Sequence, residues 1–167
     1  VLGGQALNLF KTISGDDVQK KLSELISDIE KNDKVQVHLN TEITHVDGFV
    51  GNFKSTLASK DTTTELEYGV AVVATGAAAL KPTGYHYGDD PRILTSLDLD
   101  RKLMNQDPSL KKTSSAVFIQ CVGSREPDRP YCSRVCCTHA IDNALELKKI
   151  NPDMDVYVLY RDIRTYG

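Results

Sequence analysis

Apolar positions along the chain first recur at helical spacing. Between Gly15 and about Asn32, the residues Val18, Leu22, Leu25, Ile26 and Ile29 stand three or four apart, or adjacent, and predict one face of an amphipathic helix. Ser14 or Asp16 is placed to cap its start. The spacing then shortens, and strands are predicted at Val35–Leu39, Glu42–Phe49, Asn52–Ala58, Thr64–Tyr68 and Val70–Ala74. Val46 to Phe53 reads as a strand, a glycine-bearing turn and a returning strand. Val70-Ala71-Val72-Val73-Ala74 is continuously apolar, as expected of a strand buried on both faces, and it ends in Thr75-Gly76. From Ala77 to about Thr95 the prolines, glycines and Asp89-Asp90 break any period and predict a connector.

A second set of elements follows. Ser96–Met104 predicts a short helix with Leu97 and Leu103 inward, and Ala116–Cys121 a buried strand. Cys132–Ile150 predicts a long helix, with Val135, Ile141, Leu145, Leu147 and Ile150 inward and Asn151-Pro152 closing it. Val156–Tyr160 is the next strand. Strand, helix and strand in this order make a βαβ unit, parallel by default. The fold class is α/β, with a β-meander followed by a Rossmann-like βαβ unit. The chain opens on Val1-Leu2-Gly3-Gly4 and stops directly after a strand-like run, which reads as a piece of a longer protein.

Composition narrows the partners. The 167 residues carry 20 Lys+Arg against 23 Asp+Glu, a formal charge of −3, with no basic stripe, so nucleic acid is not expected as a partner. No apolar run approaches a membrane span and no leader pattern is present, so a cytoplasmic location is expected.

The four cysteines change the picture most. Cys121, Cys132, Cys136 and Cys137 all fall between residues 121 and 137, whereas a disulfide framework would spread its cysteines to close long loops. On the predicted helix, Cys132 and Cys136 share a face and Cys137 turns about 100° further round. With Cys121 at the strand end, four thiolates could converge at a helix start, as an iron–sulfur cluster or an all-cysteine zinc site requires. The helix N-terminus favours anionic sulfur. Paired CxxC knuckles, usual for zinc, are absent. Buried unliganded cysteines and a dithiol–disulfide centre stay open as alternatives. The loop from Cys121 to Cys132 holds one glycine and two prolines in place of the G-x-G-x-x-G that cradles a dinucleotide pyrophosphate, which argues against nicotinamide here. Arg161 reads as a solvated surface residue rather than a 2′-phosphate contact, and His139 as a helix-face histidine rather than a neighbour of the metal site.

Three segments are recognisable: Val117 to Arg125, Pro130-Tyr131-Cys132-Ser133-Arg134-Val135-Cys136-Cys137, and Tyr160 to Gly167. They closely resemble the flavoprotein (A-type) subunit of heterodisulfide reductase, and the related flavoprotein of the quinone-interacting oxidoreductase complex of sulfate reducers. Gly48-Phe49-Val50-Gly51-Asn52-Phe53 and Ala74-Thr75-Gly76 share the likeness. The resemblance implies a partial FAD/NAD(P)-binding, thioredoxin-reductase-like fold. Residues 1–112 would be the remainder of an FAD-binding domain lacking its first βαβ unit, and residues 113–167 the start of a second, Rossmann-like domain. It implies a [4Fe–4S] cluster on Cys121, Cys132, Cys136 and Cys137, and FAD lined by Gly3, Gly4, Gln5, the backbone around Ile43, and Thr75-Gly76. It also implies partner subunits between which electrons are relayed or bifurcated, with any membrane association made through them. The first strand with its glycine motif and the family's ferredoxin-type cysteines are missing from this sequence. This chain alone is therefore expected to bind FAD poorly or not at all, and its cluster to be vulnerable to air. Sheets left with open edges would also invite pairing between copies. The rival readings are a pyridine-nucleotide disulfide oxidoreductase using a thiol pair, and a zinc-stabilised structural module.

Overall fold

The computed structural model describes residues Val1–Thr165, so Tyr166 and Gly167 of the last resembling segment lie outside the described residues. Packing divides the chain into two units. One holds residues 1–4 and 24–77; the other holds residues 5–23 and the chain from 78 onward.

The first unit is built on an antiparallel meander of β1 (Glu42–Phe49), β2 (Asn52–Ser59) and β3 (Thr62–Tyr68), in that spatial order. The expected hairpin is present, with Phe49 opposite Asn52 across Val50-Gly51. Gly48 explains why the strand can turn there. Its φ is +91°, and a Cβ on it would stand 2.1 Å from the carbonyl oxygen of Asn52. The N–H of Gly51 then donates to the Gly69 carbonyl at 2.8 Å, tying the hairpin turn to the end of β3. Burial is confined to the middle strand, at Ser55 and Leu57. Ser55 shares a 2.6 Å hydrogen bond with the Tyr68 hydroxyl, and the Phe53 and Tyr68 rings stack at 5.5 Å.

Two expected strands of this unit do not form. Val35–Leu39 is irregular, and so is Val70–Ala74, where Val72 and Val73 are 86% and 84% exposed. An apolar run shows that burial would be tolerated, but a strand exists only by hydrogen-bonding to a neighbour. No described strand pairs with either segment.

The chain passes between the units through α1 (Val18–Lys31). Neither Ser14 nor Asp16 caps it. Asp17 does, accepting the N–H of Lys20 at 2.9 Å, while Asp16 is occupied by Thr12, Ser14 and Lys21. Leu25 of the expected apolar face is exposed, and no residue of α1 is fully buried.

The second unit contains α2 (Ser96–Met104), α3 (Ser109–Lys112), β4 (Ser115–Ile119), α4 (Cys136–Ile150) and β5 (Asp155–Leu159). The strands β4 and β5 pair in parallel, from Ser115 opposite Asp155 to Ile119 opposite Leu159, which establishes the βαβ unit. Helix α2 begins where the pattern placed it because Thr95 and Asp98 form a capping box. Leu99 and Leu103 of α2, Leu110 of α3, Leu147 of α4 and Met154 make the core, with Ala116, Phe118 and Val156 packed against it. Thus α2 and α3 pack with the βαβ unit, whereas the sequence groups them with the residues before 112. Strand β4 is shorter than expected and buried on one face only, since Val117 and Ile119 are exposed. On α4, Leu147 is buried as expected but Leu145 is exposed, as is Val135 just before the helix; Cys137, Ala140, Asn143 and Glu146 take the inner positions.

Candidate metal centre

The cysteine block lies wholly in the second unit, on the loop from β4 to α4 and on the first turn of α4. Cys121 leaves the strand with φ +63°, and Gly123 and Arg125 are also left-handed, at +69° and +59°. Only the glycine takes this conformation at no steric cost. A Cβ on Gly123 would reach 2.4 Å from the Leu80 side chain, so the connector packs closely over the loop. Farther on, Glu126 and Arg129 pair backbone to backbone in a tight bridge.

Cys132 does not share a helical face with Cys136, contrary to the expectation. Arg134, between them, has φ +65° and interrupts the helical path, so α4 starts only at Cys136. Three of the sulfurs nonetheless receive donors. The Arg125 guanidinium approaches Cys121 Sγ at 3.9 Å, the Arg134 N–H donates to Cys132 Sγ at 3.4 Å, and the Ser133 hydroxyl donates to Cys136 Sγ at 3.5 Å. Cys137 is buried. Helix α4 has no side-chain cap and no acidic residue in its first turn, so its positive end faces Cys136 and Cys137 without a competing carboxylate. All four cysteines are free thiols. In this conformation no group of three metal-binding side chains is assembled among the described residues. The donor set fits an anionic, sulfur-ligated group in chemistry: soft ligands, each of three already offered a positive or N–H/O–H partner.

The loop is held from outside. Arg125 pairs with Asp162, and Arg161 donates to both the Arg125 carbonyl and the Glu126 carboxylate. Arg164 holds Asp162 from its other side at 2.6 Å. Arg164 and Arg125 together keep the Asp162 carboxyl below the usual carboxylate range. Arg161 is therefore not simply solvated. Pairs more than thirty residues apart carry no periodic signal, so pattern reading could not have found them.

His139, on the first turn of α4, is an ordinary structural histidine. Its Nε2 lies 2.9 and 3.0 Å from the two oxygens of Asp100, which is 1% exposed and also accepts the Phe10 N–H at 3.2 Å. Farther along α4, buried Glu146 meets Lys149 at 2.6 Å and Lys11 at 3.6 Å. Burial, followed by the charge of Glu146, pushes the Asp142 carboxyl up.

The residues expected at flavin fall in different places. Gly3 (φ +111°) and Gly4 (φ +50°) lie at the start of a single 3-10 turn, Gly4–Asn8, which includes Gln5. Ile43 is on β1, 62% exposed and opposite Leu57. Thr75 and Gly76 (φ +66°) follow the irregular apolar run. Space is open where a Cβ of Gly4 or Gly76 would stand, so the described residues offer glycine backbone for close approach but no walls.

No family model matches the chain. Among curated proteins, the A subunit of the H(2):CoB-CoM heterodisulfide,ferredoxin reductase of Methanothermobacter marburgensis is 40% identical over 117 residues, covering 62% of this chain and 18% of that protein. The iron-sulfur A subunit of the CoB--CoM heterodisulfide reductase of Methanocaldococcus jannaschii is 36% identical over 118 residues, with shares of 62% and 18%. The A subunit of the ferredoxin/F(420)H(2)-dependent CoB-CoM heterodisulfide reductase of Methanosarcina acetivorans is 37% identical over 117 residues, with shares of 62% and 15%. The chain thus spans less than a fifth of the length of these relatives. Over about 62% of its own length, it is a homologue of the A subunits of heterodisulfide reductases, which are oxidoreductases.

Proposed function

We propose that this chain supplies part of a flavin- and iron–sulfur-dependent oxidoreductase subunit that relays or bifurcates electrons within a heterodisulfide-reductase-like complex. Cys121, Cys132, Cys136 and Cys137 would hold a [4Fe–4S] cluster. Gly3, Gly4, Gln5, Ile43, Thr75 and Gly76 would approach FAD, the β1–β3 meander belonging to the flavin domain and β4, α4 and β5, with α2 and α3 packed on them, to the domain carrying the cluster. The observation that carries the reading is the set of donors aimed at Cys121, Cys132 and Cys136, on a loop that ends at the uncapped start of α4. The name of the M. jannaschii relative, which calls it an iron-sulfur subunit, supports it.

When bound, the cluster supplies one-electron transfer. The chain's own residues supply the setting. Arg125, the Arg134 N–H and the Ser133 hydroxyl offset negative charge on sulfur, and the α4 terminus adds its partial positive charge. Cys137 anchors the set on the buried side of α4. The electron partners would be the other subunits of the complex. No helix among the described residues is long and apolar enough to cross a membrane.

Anaerobic reconstitution with iron and sulfide tests this reading against zinc and thiol alternatives. A broad band at about 400 nm is expected, absent from the Cys132→Ala variant. Tight zinc binding with no visible band would overturn the cluster in favour of a structural module. Uptake of neither metal would leave thiol chemistry as the better account.

A further inference from the structure

The cysteine loop and the segment after β5 meet through two adjacent residues on each side, each an arginine followed by a carboxylate, paired crosswise. Arg125-Glu126 faces Arg161-Asp162 so that each arginine finds a carboxylate: Arg125 pairs with Asp162, and Arg161 with Glu126. A second link from Arg161 to the Arg125 carbonyl fixes the backbone as well as the side chains. The Arg125 side chain is only 21% exposed, which is low for a loop cation, and it continues inward to Cys121 Sγ at 3.9 Å. Both Arg125 and Cys121 hold left-handed backbone that side-chain-bearing residues take at a steric cost, which the ion pairs to the segment after β5 offset.

We propose that Arg125, clamped by Asp162, is a positioning residue for Cys121: it orders the loop in the metal-free chain and holds a permanent positive charge beside the sulfur. The loop-ordering half stands on the ion pairs alone. The electrostatic half rests on the cluster reading above. A fixed cation beside a cluster ligand favours the more negative, reduced state and so raises its potential. The same guanidinium that reaches the sulfur is paired with Asp162, which is itself held by Arg164.

The experiment compares the wild-type chain with Arg125→Gln, Arg125→Lys and Asp162→Asn. In the metal-free chains, amide hydrogen exchange over residues 121–132 is expected to quicken about threefold or more in the Gln and Asn variants, since networked pairs exceed isolated surface ones. The Lys variant should fall between them and wild type, because it keeps the charge but not the forked geometry. Unchanged exchange in both the Gln and Asn variants overturns the clamp. In chains reconstituted with iron and sulfide, Arg125→Gln should lower the cluster's midpoint potential, Arg125→Lys should hold it nearer wild type, and Asp162→Asn, which frees the guanidinium to turn toward solvent, should lower it by less than Arg125→Gln. No shift in Arg125→Gln, or a shift in the charge-keeping Arg125→Lys as large as in Arg125→Gln, overturns the electrostatic role, because a merely structural effect would not follow the charge. If wild type takes up no iron and sulfide, the cluster reading falls, and exchange alone judges the clamp. If the Gln variant fails to fold, the Lys and Asn variants carry both tests.

Discussion

Asp100 pins the start of the cysteine-bearing helix, and its removal should loosen α4 by an amount the structure lets us estimate. The carboxylate is 1% exposed, spans both contacts to His139 Nε2, and accepts the Phe10 N–H. Hydrogen bonds to a charged acceptor contribute about 1.5–3 kcal/mol each, so losing two removes about 3–6 kcal/mol. Relief of the buried carboxylate's desolvation offsets part of this. His139 keeps 19% of its side chain exposed and can be hydrated once unpaired. The net loss for Asp100→Ala is about 3 kcal/mol, and for Asp100→Asn, which keeps one acceptor, about 1–2 kcal/mol. Because the chain packs as two units, a single melting temperature would mix their unfolding. Hydrogen exchange of the slowest α4 amides reads this unit directly, and 3 kcal/mol corresponds to acceleration of about a hundredfold. A double-mutant cycle with His139→Ala should return a coupling of at least about 1 kcal/mol. Acceleration below about threefold, or additive single effects, would refute the assignment of this pair as the pin.

Other perturbations follow from the same geometry. Gly48→Ala forces a Cβ onto the Asn52 carbonyl at a positive φ, so the meander should lose about 3 kcal/mol, checked by exchange of β1 and β2 amides. Asp142 has a raised folded pKa, chiefly from burial, so its protonated form favours the fold. That contribution is present below its ordinary value of 3.8 and lost as pH rises through the folded value; Asp142→Asn should therefore stabilise at pH 7, with the gain shrinking in acid titrations. Asp107 shows the opposite sign. Lys102, then the Ser109 N–H and hydroxyl, lower it to about 2, so its contribution holds above 3.8 and disappears as pH falls toward 2. Asp107→Asn should accordingly flatten that part of the acid unfolding profile.

How much was legible depended on whether the information was local. The Phe49–Asn52 hairpin, the span of α2 and the β4–α4–β5 order were readable because a turn glycine, a Thr95–Asp98 capping box and a single apolar period each act over a few residues. Val70–Ala74 misled because its pattern reports tolerance of burial, while the strand itself needs a pairing edge. The helix expected from Cys132 failed at Arg134, whose left-handed backbone is not encoded by any residue preference for it. At the cysteines, identity and clustering were plain in the sequence. The donors that face them were partly local, as with Ser133 and the Arg134 N–H, and partly remote, as with the Asp162 and Arg161 contacts that fix Arg125.

The central claim is that four cysteines, currently presented singly, act together as one ligand set. The most direct measurement is bound iron and sulfide per chain after anaerobic reconstitution, in wild type and in Cys121→Ala, Cys132→Ala, Cys136→Ala and Cys137→Ala separately. The account predicts about four irons and four sulfides in wild type and a clear loss in every variant, since each cysteine supplies one ligand of a Cys₄ site. Full retention of iron and sulfide in any one variant would contradict the four-cysteine assignment.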